Sequence, residues 1–447
     1  MKTGRREFVV VGLAVVLVVA AFVVPKLDLG IVTPLINADA ERFEAFAGAA
    51  PIFGWWDAHV GWGTVPAIVI GLAAVIWGQS VAARLGWRTL LWATWAVSAA
   101  WAFSLAMIDG WQRGFAGRLT ATHEYLRQVP TVDDIPYAVR SFADRIIDFQ
   151  PDSWMTHVSG HPPGALLTFV WLDRIGLGGG AWAGAFCVVI GASAAAAILV
   201  AIKALSGEEP ARAAAPFVAV APTAIWIGVS ADGYFAGVAA WGIALLALAV
   251  RRSVWFAVPA GLLLGWAIFL NYGLGLIGLV AVAVLICAPS LRRALAVLGI
   301  AAVAALVVVG VFYAAGFWWF DGYHAVQARY WQGIALDRPF QYWGWANFAS
   351  TVCAIGLGSV AGVSRAFSWS AVKARSGIHL LVLAALLAIV CADMSMLSKA
   401  ETERIWLGFM VWLTAAPALL PLASRRWWLA ANVVGALALN HLILTNW

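Results

Sequence analysis

The sequence is poor in charge: only 11% of its 447 residues are Asp, Glu, Lys or Arg, whereas 63% are hydrophobic. A soluble domain has about 25% charged and about 45–50% apolar residues. This shortage excludes a water-soluble globular protein, because so many apolar side chains need a solvent other than water, and lipid is available. The net charge of +6 does not indicate nucleic-acid binding, since membrane proteins collect Lys and Arg in cytoplasmic loops.

Cysteine is also scarce. The four cysteines lie in apolar stretches without a Cys-x-x-Cys spacing, which predicts buried small hydrophobes and excludes a disulfide framework or a cysteine metal site. Internal repeats and low-complexity linkers are absent from the sequence as well. We therefore expect a single polytopic membrane domain over residues 1–447.

Long apolar runs predict the fold class, an all-α integral membrane protein with about 12–14 transmembrane helices, because about 20 apolar residues cross a bilayer. The first run, 8–25, follows a basic start but precedes no obvious small-residue cleavage site, so we expect an uncleaved span. The run 163–178 is short and ends in charged residues, which predicts a re-entrant or half-length helix beside a cavity. The runs are 8–25, 64–82, 89–108, 163–178, 181–202, 213–228, 233–250, 254–270, 273–288, 294–318, 343–362, 377–393, 405–422 and 427–445.

The charges predict the orientation. If the N-terminus is inside and residues 163–180 do not cross, the inside loops are short and basic, as in Arg292-Arg293 and Arg425-Arg426. Most acidic residues then fall on the other side. We therefore expect a multi-pass plasma-membrane protein with a cytoplasmic N-terminus and a functional, non-cytoplasmic face.

Three outer loops, about 26–63, 109–162 and 319–342, are long enough to be functional. In the second loop, apolar residues spaced from Ile135 to Ile147 among Asp and Arg predict an amphipathic helix on the membrane surface.

Asp109 is the first candidate catalytic residue, because it directly follows the third span and precedes Gly110. A half-buried carboxylate at such a helix end can act as a general base. Two histidines, His157 and His161, precede a helix that begins near Pro163, whose free amides suit an anionic group such as a phosphate. A solvated helix end and a structural turn are the alternative interpretations of these two features.

Further candidates for substrate binding are polar or aromatic residues at outer span ends. A lone Asp232 is costly in a membrane unless it faces a polar cavity, and Glu403 and Arg404 abut an apolar run, so we expect them to pair and face inward. Aromatic rings stack on sugars and Arg pairs with phosphate, although an interfacial aromatic belt explains the rings equally. The remaining candidates are Tyr272, His324, Arg329, Trp331 and Lys399.

These residues resemble motifs of the GT-C glycosyltransferases, multi-span enzymes whose active sites lie on the outer face and which mostly use polyprenyl-linked sugars. The chain looks most like an actinobacterial branch of that superfamily over about residues 90–420. The matching pieces are Asp109 with Arg113-Gly114, His123-Glu124-Tyr125-Leu126, Thr156-His157 through Gly160-His161-Pro162-Pro163-Gly164, Ser230-Ala231-Asp232, Arg329-Tyr330-Trp331 and Glu403-Arg404-Ile405-Trp406.

The resemblance implies an inverting transfer of a sugar from a polyprenyl-phosphate donor to a glycan or lipid acceptor of the cell envelope. It implies a base in the first large outer loop, Asp109, with Glu124 in reserve, although two extra spans precede this loop here. The expected partners are the donor, the acceptor and membrane lipids, without nucleic acid. No cofactor is certain; a divalent cation is compatible with the chemistry, but no ligand set stands out. A secondary transporter and a non-catalytic cell-envelope scaffold remain alternatives.

Overall fold

A computed structural model describes residues 4–27, 29 and 48–446, so part of the first predicted outer loop, 26–63, lies outside the described residues. The described chain is mostly helical, as its composition predicts. Its α-helices, in chain order, are α1 (Arg5–Val23), α2 (Thr64–Arg84), α3 (Trp87–Ala106), α4 (Ile135–Arg140), α5 (Thr156–Ser159), α6 (Pro163–Arg174), α7 (Gly180–Ala192), α8 (Ala194–Ser206), α9 (Glu208–Ala219), α10 (Ala224–Ile227), α11 (Ala231–Arg251), α12 (Ala257–Leu270), α13 (Ile277–Ile286), α14 (Leu291–Ala314), α15 (Trp319–Gln332), α16 (Phe340–Ile355), α17 (Leu357–Ala366), α18 (Trp369–Lys373), α19 (Gly377–Met394), α20 (Thr402–Ile405), α21 (Leu407–Leu413) and α22 (Leu422–Leu442).

The protein is an integral membrane protein with seven described helices that are long and apolar enough to cross a bilayer, or eight if the pair α16 and α17, bent by 108°, is one span. This number is below the 12–14 spans expected from apolar runs. The difference arises because several runs form shorter or interrupted helices. The seven are Arg5–Lys26, Thr64–Arg84, Trp87–Ala106, Gly180–Ser206, Ala231–Arg251, Leu291–Ala314 and Gly377–Met394.

Helix α11 is the centre of the bundle, and nearly all of its residues are buried. Its small residues permit this position. A Cβ at Gly237 would lie 2.3 Å from the carbonyl oxygen of Ile190, and one at Gly242 would lie 2.8 Å from Leu264. Small residues allow membrane helices to approach closely without a loss of packing. By contrast, α14 exposes a row of Leu and Val side chains, as expected of a helix that faces lipid.

Helix α6 enters the bundle and does not cross it. Its first turn packs on the end of α12, where a Cβ at Gly164 would lie 2.5 Å from the carbonyl oxygen of Phe269. At its other end, Arg174 donates to the carbonyls of Val132 and Asp133, at 2.8 and 2.9 Å, in the loop that precedes α6. Both ends therefore lie at the same face of the bundle, in agreement with the prediction of a re-entrant or half-length helix.

The helix ends divide the bundle into two faces of different composition. The face where α3 ends and α11 begins, called the site face below, carries most of the acidic residues. The opposite face, where α1 begins and α2 ends, is rich in Lys and Arg; there Arg212 donates to the carbonyls of Ala82 and Leu85. This segregation matches the pattern of basic loops in the sequence.

A small antiparallel sheet closes the site face. Strand β1 (Gly54–Trp56) pairs with strand β2 (Ile443–Thr445), with Trp55 opposite Leu444. The pairing continues beyond β1, since the amides of Asp57 and His59 donate to the carbonyls of Leu442 and His441. Segments almost 400 positions apart are thereby brought together beside the end of α3.

The second outer loop folds differently from the predicted surface helix. Helix α4 is only six residues long and ends at Arg140, after which the chain forms turns. The apolar side chains of Val139, Phe142 and Ile146 are buried in the protein, where Phe142 packs on Trp154 and Phe317. The apolar spacing therefore serves the packing of the loop on the bundle more than contact with a membrane surface.

Candidate functional site

Arg404 is the centre of a buried charged network at the site face. It lies in the short helix α20, and its Nη1 is 2.6 Å from Asp232 Oδ2 in the first turn of α11. Its Nη2 is 2.8 Å from Glu401 Oε2 and 3.3 Å from His157 Nε2. The guanidinium thus joins three separate segments of the chain, and it does so with charge-assisted hydrogen bonds.

The network continues in both directions from Arg404. On one side, Glu124 Oε1 lies 3.0 Å from His157 Nδ1. On the other side, Glu401 Oε1 lies 2.8 Å from Arg338 Nη2, and Arg338 Nη1 donates to the carbonyl of Lys399 at 2.7 Å. Because a guanidinium can only donate, His157 Nε2 must accept from Arg404.

The pKa values of the acids reflect this pairing. Burial alone would raise the pKa of Glu401, but Arg338 and Arg404 outweigh it and lower the pKa to about 2. Burial likewise opposes ionisation of Glu124, while the neighbouring His157 and Arg404 lower its pKa below the ordinary value. Both carboxylates are therefore ionised at neutral pH, and burial without their partners would be costly.

His161 lies beside this network in a drier environment. Its Nδ1 is 2.8 Å from the hydroxyl of Tyr125 and 2.7 Å from the carbonyl oxygen of His157. Burial lowers the pKa of His161 to about 4, although Asp232 acts in the opposite direction. His161 is thus neutral near pH 7 and offers a hydrogen bond, not a positive charge, to a ligand.

Asp109 forms a second, outer part of the site. Its Oδ1 lies 3.0 Å from His59 Nε2, and its Oδ2 lies 3.6 Å from Arg113 Nε. Arg113 and Arg118 both donate to the carbonyl of Thr445, at 2.9 and 3.1 Å. The first two outer segments and the end of β2 therefore meet at this carboxylate.

The two neighbouring arginines concentrate positive charge. Burial, and then the charge of Arg113, lower the pKa of Arg118 to about 10. The Nε of Arg118 is buried and has no hydrogen-bond partner among the described residues. Two guanidiniums that share one carbonyl oxygen are favourable for an incoming anion, because like charges repel until a counter-charge arrives.

The turn after Asp109 is shaped by glycine. Gly110 has φ of +83°, and residues Trp111–Ala116 form a π-helical turn. A Cβ at Gly114 would lie 1.7 Å from the carbonyl oxygen of Ala106, so this position must lack a side chain. Single π-helical turns occur frequently at functional sites. Here the turn directs Arg113 back toward Asp109.

The third outer loop approaches the network through Lys399. The Nζ of Lys399 lies 4.7 Å from the ring centre of Trp331, and its backbone amide donates to the hydroxyl of Tyr330 at 3.1 Å. Arg329 Nη1 lies 2.5 Å from Asp148 Oδ1 in the second loop. Arg329 and Trp331 thus connect the third loop to neighbouring segments. The charge of Arg329 is already neutralised by the carboxylate of Asp148.

Some predicted site residues lie apart from the charged network. Tyr272 packs against Trp319 and Tyr323, and His324 lies beside Tyr323 in the same aromatic cluster. The predicted pairing of Glu403 with Arg404 is wrong. Glu403 is buried, as expected, but it accepts from the Phe53 amide and the Ser350 hydroxyl, both at 2.8 Å. Consecutive residues of α20 point in different directions, so only Arg404 faces the network.

Four residues of the site are not among the candidates from the sequence: His59, Arg118, Arg338 and Glu401. Glu401 bridges two arginines. Arg338 has the signal used for the other candidates, since a charged residue stands there next to an apolar run. His59 and Arg118 have no such local signal, because their neighbours are brought together only by the fold.

A metal site is not evident from the side chains. Within residues 4–27, 29 and 48–446, no group of three or more His, Cys, Asp or Glu is arranged to bind a metal ion.

No protein-family model and no curated protein matches the chain. Two solved structures are similar to it. The crystal structure of the Archaeoglobus fulgidus oligosaccharyltransferase in complex with Zn and sulfate is 13% identical, with a TM-score of 0.47 over 78% of this chain and 53% of that chain. The archaeal oligosaccharyltransferase AglB from Archaeoglobus fulgidus, in complex with an inhibitory peptide and a dolichol-phosphate, is 12% identical, with a TM-score of 0.39 over 73% and 50%. This chain therefore spans about half the length of each, and similarity at this level assigns neither a family nor an activity to it.

Proposed function

We propose that this protein is a membrane glycosyltransferase of the GT-C type, which transfers a sugar from a polyprenyl-phosphate donor to a glycan or lipid acceptor. One observation carries the proposal: Asp109 and the arginine pair Arg113 and Arg118 lie together at the site face of a membrane bundle. Sugar transfer from a lipid phosphate needs a base for the acceptor and cations for the leaving phosphate.

Asp109 is the better candidate for the base. Its Oδ2 faces Arg113, whose side chain is 39% exposed, so a substrate can approach from this direction. Glu124, the reserve candidate, is buried and lies against His157 inside the network. A carboxylate enclosed by its own partners has less access to an acceptor hydroxyl than one beside an exposed side chain.

The charges favour Arg113 and Arg118 for the donor phosphate over the cations proposed from the sequence. Around Arg404, the carboxylates of Glu124, Asp232 and Glu401 already surround the guanidiniums of Arg404 and Arg338, and Glu124 also interacts with Arg118. An anion gains little there. Around Asp109, the guanidiniums of Arg113 and Arg118 both donate to the neutral carbonyl of Thr445, so they are better placed to bind a phosphate.

In the proposed reaction, the acceptor hydroxyl attacks the anomeric carbon while Asp109 Oδ2 takes its proton. The new bond forms between the acceptor oxygen and the anomeric carbon. The bond from that carbon to the phosphate oxygen breaks, and its electron pair leaves with the polyprenyl phosphate beside Arg113 and Arg118. A single displacement inverts the anomeric centre. His157, His161, Asp232 and Lys399 line the adjoining part of the site, where they can orient the sugar.

The aromatic cluster of Tyr272, Trp319, Tyr323 and His324 belongs to the same proposal as a candidate contact for the acceptor. Stacked aromatic rings at the site face suit a sugar ring, and Trp319 and Tyr323 stack at 5.2 Å. The site face is proposed to be non-cytoplasmic, because the basic residues lie at the opposite face.

A transfer assay tests the function. The purified full chain in lipid is mixed with a panel of radiolabelled polyprenyl-phosphate sugars and crude cell-envelope acceptors, and release of polyprenyl phosphate is measured. Asp109→Asn removes the base but keeps the shape of the side chain. The matched control is Asp321→Asn, an exposed acid in α15.

We expect release by the wild type and by Asp321→Asn, and a loss of at least about 100-fold in Asp109→Asn, the upper range for general-base catalysis being about 10⁴-fold. Equal release by wild type and Asp109→Asn would move the base to Glu124. No release from any donor by well-folded protein would contradict the function, and uptake assays in vesicles would then test a transporter.

A further inference from the structure

His59 is held by a main-chain carbonyl in a way that fixes one of its protons. Its Nδ1 lies 2.7 Å from the carbonyl oxygen of Asp57. A carbonyl oxygen can only accept a hydrogen bond, so Nδ1 must carry the hydrogen. Neutral His59 would therefore have a bare lone pair on Nε2.

The Nε2 atom faces a carboxylate, since it lies 3.0 Å from Asp109 Oδ1. A bare nitrogen lone pair opposite an ionised oxygen would be repulsive, so a proton must lie between the two atoms. Imidazole is a stronger base than a carboxylate, and the proton therefore belongs mainly to the ring. The contact is then an imidazolium–carboxylate pair.

We propose that His59 is the positioning residue of Asp109: as an imidazolium, it anchors Oδ1 and leaves Oδ2 directed toward the reacting acceptor. The catalytic role of Asp109 rests on the proposed function, whereas the protonation of His59 does not. An acid–base residue is efficient only when its geometry is fixed before reaction, and a misplacement of about 1 Å costs about 100-fold in rate.

The position of His59 is set by several elements. Its amide donates to the carbonyl of His441 at 2.9 Å, which extends the pairing of β1 with β2. His441 in turn lies 3.0 Å from the Thr64 hydroxyl at the start of α2. The backbone of His59 is therefore fixed by the strand pairing, and its ring is fixed by the carbonyl of Asp57, as a positioning residue requires.

The charged groups around the pair agree with this assignment. Arg113 lies 3.6 Å from Asp109 Oδ2. Arg118 interacts with both Arg113 and Asp109 from the same segment. The carboxylate of Asp57 is exposed, and from α22 His441 is directed to Thr64. Asp109 thus receives one cation on each oxygen.

The protonation state can be measured without any substrate. The full chain is labelled with ¹⁵N-histidine in lipid nanodiscs at pH 7, and the ring nitrogens of its seven histidines are observed by NMR. His59→Gln assigns the His59 signals. We expect both ring nitrogens of His59 to be protonated in the wild type, and only Nδ1 in Asp109→Asn.

A neutral His59 ring in the wild type, or the same His59 signals in Asp109→Asn, would overturn the proposal. His379→Gln, at the opposite face beside Ser376, is the matched control and should leave the His59 signals unchanged. This experiment is independent of turnover, so its failure would not be confused with failure of the proposed function.

Activity supplies the second readout. Gln at position 59 can still donate to Asp109, whereas Ala cannot. We expect His59→Ala to lower kcat by about 10–100-fold with little change in KM for the donor, and His59→Gln to recover much of the loss. Equal losses in both variants, or a change in KM alone, would contradict a positioning role.

Discussion

Arg404 Nη1 and Asp232 Oδ2 lie 2.6 Å apart, although 172 positions separate the two residues in the sequence. Both side chains are buried, at 7% and 5% exposure. The pair joins α20 to the first turn of α11, the most buried of the seven helices of span length. It therefore fixes the loop that carries Lys399 and Glu401 relative to the core.

Removal of one partner of this pair should be strongly destabilising. Asp232→Asn removes the charged acceptor of Arg404 Nη1, and breaking a buried pair on one side costs about 3–5 kcal/mol. We expect a clear fall in the unfolding temperature of the purified protein, measured by intrinsic tryptophan fluorescence. Asp321→Asn, which changes an exposed acid, should have no effect.

A double variant separates the pair from its surroundings. Asp232→Leu with Arg404→Met removes both charges together and leaves neither unpaired. If the pair interacts as described, the double variant loses less stability than the sum of the two single variants. Additive losses would contradict a direct energetic coupling between Asp232 and Arg404.

Acid should destabilise the protein in two successive windows. His161 has a folded pKa of about 4 against an unfolded value near 6.5, so the unfolded state binds a proton first and stability falls as pH drops from about 6.5 to 4. Glu401 has a folded pKa of about 2, so its contribution is present above about 4.5 and is lost as pH falls toward 2. Unfolding temperatures measured across this range test both signs.

Single variants assign the two windows. His161→Gln should flatten the decline between about pH 6.5 and 4, because glutamine does not titrate. His324→Gln is the control, because His324 is exposed, and it should leave the decline unchanged. A decline that survives unchanged in His161→Gln would refute its assignment to this histidine.

Substitution of Arg118 should weaken binding of the lipid donor more than substitution of an exposed arginine in the same loop. Hydrogen bonds to charged groups contribute about 1.5–3 kcal/mol, so we expect Arg118→Gln to weaken binding of a polyprenyl-phosphate sugar by about 10–100-fold. Arg127→Gln is the matched control, because Arg127 is exposed and donates to the Thr120 carbonyl. Equal binding by both variants would argue against a phosphate at Arg118. The test rests on the proposed function.

The sequence predicts that this is a membrane protein, and it identifies many of the polar residues that the structure places in the site. Charge next to an apolar run is costly unless it is paired, so Asp232 and Arg404 could be selected without a structure. Their mutual pairing could not, because it depends on which helix ends meet. The apolar spacing of Val139, Phe142 and Ile146 predicts contact with a membrane surface, but packing on the bundle buries these residues. Spacing identifies an apolar face and does not identify what covers it.

The span count shows a related limit. The run 254–270 forms a helix too short to meet the length of a span, and residues 343–362 fall across the bend between α16 and α17. A hydropathy pattern records apolar residues, whereas helix breaks depend on single residues such as Gly356, which has φ of +80°. The contact of His59 with Asp109 cannot be predicted from the neighbouring residues of either one, because it depends on the pairing of β1 with β2.

A substitution in the turn after α3 tests whether the backbone of this turn positions Asp109. At Gly114 an added Cβ would lie 1.7 Å from the carbonyl oxygen of Ala106, and the atom it meets is backbone. Gly114→Ala must therefore move the π-helical turn that carries Arg113 past Asp109. Gly299 is the matched control, because an added Cβ there meets nothing within 4 Å on the lipid-facing helix α14.

We expect Gly114→Ala to lower the unfolding temperature and to remove the ¹⁵N signature of a doubly protonated His59, since Asp109 shifts with the turn. Gly299→Ala should retain both properties, because alanine is tolerated where space is open and favours a helix. If Gly114→Ala kept the wild-type His59 signals, the position of Asp109 would not depend on this turn, and His59 with its hairpin would be the sole structural support of the carboxylate.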